Sequence, residues 1–128
     1  MKIEHFEDLE IWQEARKLCF DIKRLSNNDN FSRDFRFKDQ ILSSSGSVMD
    51  NIAEGFERGG NKEFINFLGF AKGSCGETRS QLYRAFDFQY ISNEEFDSLL
   101  PKVISLSKKI SGFISYLKTS EYKGFKFK

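Results

Sequence analysis

At 128 residues the chain has the size of one ordinary domain and can bury a core without disulfide or metal staples. Its 20 basic and 19 acidic side chains leave a net charge of +1, which excludes the strongly basic make-up of a nonspecific nucleic-acid binder. Two cysteines, Cys19 and Cys75, with no CxxC and one histidine, His5, exclude a disulfide framework and a zinc site of three or four protein ligands.

Both cysteines fall within helical patterns and read as small buried side chains in a reducing compartment. No basic-then-apolar segment opens the chain and no apolar run approaches a membrane span, so the expected location is the cytoplasm. The charge is uneven: residues 1–60 carry 9 basic and 12 acidic side chains, net −3, and residues 61–128 carry 11 and 7, net +4. Phenylalanine, 15 of 128 residues, exceeds what one small core usually absorbs.

The first predicted helix runs from Phe6 or Glu7 to Leu25. Ile11, Ala15, Leu18, Ile22 and Leu25 are spaced by four and three, a heptad stripe. Acids crowd its first turn and Lys23 and Arg24 its last, as the helix dipole favours. A polar turn, Ser26 to Asn30, follows.

The second predicted helix starts at a Ser32 cap and stops by Gly59-Gly60, where positive φ costs glycine nothing. Phe37, Ile41, Ser45, Val48, Ile52 and Phe56 form its stripe. The third runs from an Asn61 cap to about Tyr90, on Phe64, Leu68, Ala71, Cys75, Thr78, Leu82 and Ala85. Both have thin centres, Ser43 to Ser47 in one and Ala71 with Gly73 to Gly76 in the other, which are expected to face each other and let the two backbones approach.

The fourth opens on a capping box, Ser92 with Glu95, and carries Phe96, Leu99, Val103, Leu106, Ile110, Phe113 and Leu117. Pro101 predicts a bend. Four amphipathic segments on short connections predict an all-α fold, an antiparallel up-down-up-down four-helix bundle, as a single domain over residues 1–120. Residues 121–128 form a basic and aromatic tail. It reads either as a stacking-plus-phosphate segment for single-stranded nucleic acid or as a plain chain end.

Catalysis finds little support. A di-metal carboxylate bundle needs Glu-x-x-His on two helices, and none occurs. One terminal histidine supplies no Ser/His or Cys/His pair, and Gly69, Gly73 and Gly76 miss the phosphate-loop and dinucleotide spacings. The chain is read as a non-enzyme without cofactor or metal. Asn51, Glu54, Arg58 and Glu77 are candidates for a polar layer between helices, either a structural network that fixes register or a binding site. The candidate nucleic-acid contacts are Arg79, Arg84, Lys102, Lys108, Lys109, Lys118, Lys123, Lys126 and Lys128.

Three motifs in order resemble one family. They are Phe6-Glu7-Asp8-Leu9-Glu10-Ile11-Trp12-Gln13-Glu14-Ala15; Asn51-Ile52-Ala53-Glu54-Gly55; and Lys62-Glu63-Phe64-Ile65-Asn66-Phe67-Leu68 with Ala71-Lys72-Gly73-Ser74-Cys75-Gly76-Glu77. Over about residues 5–117 the chain resembles the bacterial four-helix-bundle proteins encoded by intervening sequences in large-subunit ribosomal RNA genes. That family is related to the accessory variability protein of diversity-generating retroelements.

The resemblance implies a homo-oligomer, a ring of five subunits, whose interfaces would take up Phe20, Phe67, Phe70, Phe86 and Phe88, all off the core stripes; the alternative is that some of these rings widen the core. It implies an accessory role around RNA or other nucleic acid, or alternatively a protein-binding scaffold, for example for a reverse transcriptase. Where it implies paired arginines this chain has Leu42 and Ser43, and where it implies a proline before Asn51 it has Val48, Met49 and Asp50.

Overall fold

The computed structural model describes residues 3–119. A 3-10 turn at Phe6–Asp8 precedes five helices: α1 (Glu10–Leu25), α2 (Asp29–Arg33), α3 (Phe35–Glu57), α4 (Asn61–Asp87) and α5 (Asn93–Thr119). Among the described residues there is no strand. The predicted tail, with Lys123, Lys126 and Lys128, lies outside them.

The four long helices close a square in which α1 packs on α3, α3 on α4, α4 on α5 and α5 back on α1. Their directions alternate. The end of α4 meets the start of α5 through stacked Phe86 and Phe96, and its start meets the end of α5 through Phe64 and Phe113. Every stripe residue predicted on the first three helices is buried, as are Leu99, Val103, Leu106, Ile110 and Leu117 on α5. Burial of that continuous apolar seam is the main term holding the fold.

Three boundaries differ from the prediction by more than a residue. The chain does not enter α1 directly: Leu9 is extended and turns its side chain into the core, while Asp8 Oδ2 accepts from the Glu4 and His5 amides. The helix predicted from Ser32 is two helices, because Asp34 breaks it and caps α3 by accepting from the Phe37 amide at 3.2 Å. α4 stops at Asp87 rather than Tyr90. Gln89 takes a left-handed φ of 62°, and the Tyr90 and Gln89 amides donate to the Ala85 and Phe86 carbonyls at 2.8 and 3.0 Å, a Schellman stop without glycine.

Gly59, at φ 89°, ends α3 as its position predicts. The capping box of α5 is present in both directions, at 2.9 and 3.0 Å. α5 continues unbroken through Pro101.

α3 and α4 come into tight contact at Gly55, near the turn that joins them. A Cβ on Gly55 would lie 2.6 Å from Phe67 Cβ and 3.0 Å from the Phe64 ring. Gly46 faces Cys19 of α1, and Gly73 and Gly76 point away from the bundle. What joins the centres is a buried polar cluster. The Ser44 hydroxyl donates to Gln81 Oε1 at 2.5 Å, and Thr78 Oγ1 lies 2.9 Å from both that hydroxyl and the Ser74 carbonyl.

Candidate nucleic-acid interface

The α1–α5 seam is the thinnest of the four. It is clasped at one end by Lys109, which donates to Glu10 Oε2 at 2.9 Å and Glu14 Oε2 at 2.5 Å. These contacts raise the Lys109 pKa and lower that of Glu10. Towards the other end, Asp21 lies 4.0 Å from Lys102 and 3.4 Å from Arg24. Between the two clasps the helices stand apart around a groove of about 930 Å³.

The floor of the groove is apolar, with Leu18 and Leu99 at its base and Pro101 on the wall. Its rim is basic: Arg16 and Lys17 rise from α1 and Lys102 from α5. Phe20 stands at the mouth, 66% exposed, with the Arg24 guanidinium 5.9 Å from its ring centroid. Of the two acids in the lining, Glu14 is paired with Lys109, and Asp21 with Lys102 and Arg24, so those two cations share their charge with Asp21 while Arg16 and Lys17 supply the rest of the rim's positive charge. An exposed ring between cations can stack a base while ammonium and guanidinium groups meet phosphate.

The other candidate contacts are dispersed. Arg79 is exposed on α4, and Lys108 and Lys118 are exposed on α5. Arg84 lies over the Phe37 ring at 4.9 Å, and Lys109 is the clasp. Of the described candidates only Lys102 lines the groove. Arg16, Lys17 and Arg24 were not among the candidates, and Phe20 was read as an interface ring, although cations three and four residues on either side of that off-stripe phenylalanine are visible in the sequence.

The four polar-layer candidates do not come together as one cluster. Glu54 and Arg58 pair at 2.9 Å on the outer side of α3, and Arg58 reaches Glu63 at 3.6 Å and the Phe67 ring at 4.9 Å across the turn. Asn51 donates to the Ser47 carbonyl and hydroxyl within its own helix, both at 2.9 Å. Glu77 accepts from Gln81 at 3.4 Å, at the edge of the Ser44–Thr78–Gln81 cluster. Among the described residues no group of three or more potential ligands could hold a metal, and no helix is long and apolar enough to cross a membrane.

The protein is similar to a crystal structure from Bacteroides thetaiotaomicron described as a protein with unknown function from the S23 ribosomal protein family. The match has a TM-score of 0.74 at 23% identity and covers 81% of this chain and 97% of that one. At that identity the likeness shows the fold. No curated protein matches. The sequence model of the 23S rRNA-intervening sequence protein family matches residues 7–112. That span includes all four long segments of the bundle except the last turns of α5, and the chain belongs to the 23S rRNA-intervening sequence protein family.

Proposed function

We propose that the chain is a non-enzymatic, self-associating accessory protein of the cytoplasm that holds RNA, with the α1–α5 groove as its contact surface. Phe20 carries this reading. It is a large ring left in water at the mouth of a groove rimmed by Arg16, Lys17 and Lys102, with Arg24 beside the ring, on a chain of net charge only +1. Membership of a family described by a ribosomal RNA intervening sequence points the same way. A nearly neutral protein holds nucleic acid through a local patch, and several copies strengthen a weak patch by avidity.

The test is fluorescence anisotropy with structured RNA and with single strands over a salt series. Affinity should fall as salt rises, and Phe20→Ala should weaken binding about ten- to hundred-fold, the range for a lost stacking contact. Absence of binding at low salt would overturn the reading. A protein-binding scaffold is the second reading, favoured by Phe35 and Phe88, both exposed near the end of the bundle where α2 meets α3. It would stand if RNA fails to bind and a partner protein, such as a reverse transcriptase, is held through those rings.

A further inference from the structure

α5 ends at an acidic corner of the bundle. Phe113 meets Phe64 near the start of α4, and Lys109 meets Glu10 at the start of α1, so α5 ends beside the 3-10 turn and the Gly59-Gly60 turn. Residues 4–14 carry five acids and no lysine or arginine, and residues 54–63 carry three acids against Arg58 and Lys62. Glu7 and Glu57 are exposed, and neither joins an ion pair among the described residues.

The same end carries a run of rings. Phe56 meets Phe64 edge-on at 5.9 Å, Phe64 meets Phe113 at 5.6 Å, and Phe113 stacks on Tyr116 at 5.8 Å. The run leads from the core to the surface, where Tyr116 is 49% exposed within the last turn of α5.

Residues 120–128 follow Thr119 and can span at most about 30 Å. Helices about 8–10 Å apart make an end narrower than that reach. The segment holds Lys123, Lys126 and Lys128 against Glu121. Phe125 and Phe127 are two apart, so extended backbone would put both rings on one side and Lys126 and Lys128 on the other. The α1–α5 groove is a poorer seat for it. Ser105, the nearest α5 residue of the lining, lies about 21 Å back along the helix, and the Arg16, Lys17 and Lys102 rim repels lysines.

We propose that residues 120–128 fold back across this end of their own chain, with Phe125 and Phe127 against Phe113 and Tyr116 and the tail lysines among the acids that include Glu7 and Glu57. The aromatic and basic pattern of the tail then answers the protein's own acids rather than phosphate. This contact stands or falls apart from the RNA reading of the groove.

Zero-length carbodiimide crosslinking of lysines to carboxylates in the full chain, mapped by mass spectrometry, tests it. A mixture of chains with ordinary and heavy nitrogen separates links within a chain from links between chains. The expected links join Lys123, Lys126 or Lys128 to acids within residues 4–14 and 54–63 of the same chain, and they should fade as salt rises. Phe125→Ser combined with Phe127→Ser should lose most of them, with circular dichroism as the folding check. Equal yields on Asp87, Glu94 and Asp97 at the opposite end, links only between chains, or an unchanged pattern in the folded double variant would overturn the proposal. Should the double variant misfold, the link map of the wild-type chain decides alone.

Discussion

Gly55 and Gly112 both interrupt long helices, and the space around each decides its role. An alanine at 55 would gain about 1 kcal/mol of helix propensity. Its methyl would also lie 2.6 Å from a Cβ fixed to the α4 backbone, a clash that no rotamer relieves. Overpacking of this kind costs about 1–3 kcal/mol, so Gly55→Ala should lower the melting temperature. Gly112 is exposed with open space around it, and Gly112→Ala should raise stability by up to about 1 kcal/mol. Thermal melts of the two single variants check both signs.

The opposite roles of these glycines were not legible in the sequence, where each is one small residue in a periodic run. The misplacing of Glu54 and Arg58 was avoidable. They follow Ile52 by two and six residues, which at about 100° per residue puts them on the far side of the helix from the core stripe. Both are exposed.

Helix ends divide by how local their chemistry is. Gly59 and the Ser92–Glu95 box sit within a few residues of the backbone they serve, and both were read from the sequence. The stop at Gln89 was not, because nothing in a glutamine announces a left-handed φ. Gln89→Gly would remove that strain and should stabilise the fold by up to about 1 kcal/mol, measurable by urea unfolding.

The break at Asp34 has a long-range cause. The Tyr90 hydroxyl donates to Asp34 Oδ2 at 2.6 Å, from a residue 56 positions away. That bond, with the Phe37 amide, holds the Asp34 carboxyl below its usual range and pushes the Tyr90 phenol above its own. The Asp34 contribution is complete above the ordinary aspartate pKa and is lost as pH falls through the depressed folded value. The Tyr90 contribution is present below the ordinary tyrosine pKa and is lost as pH rises through the raised one. Tyr90→Phe should therefore flatten the pH dependence of stability at both extremes, and lower the melting temperature near neutrality by a few degrees.

For the whole molecule, heptad spacing was enough to give four long helices and the inner face of each, because burying an apolar seam is a property of the seam itself. Which pair of neighbouring helices stands apart is not. That depends on how four faces of unequal width close, and only the closed bundle shows the α1–α5 groove. The sequence reading accordingly looked for cations in the basic half of the chain, on α4, α5 and the tail. The groove instead draws Arg16 and Lys17 from the acidic half, with Arg24 beside Phe20. Exposed charges beyond about 10 Å are largely screened at moderate salt, so the proposed contact depends on the cations beside the groove more than on the charge of either half.

Ultraviolet crosslinking of the folded full chain to a uridine-rich single strand, with the modified peptides located by mass spectrometry, tests the groove most directly. Crosslinks concentrated on Phe20 and the neighbouring turns of α1, with Lys102 on α5, are the predicted result, and they should fade in Lys17→Glu. Crosslinks confined to the outer face of α4 or to the tail would contradict it.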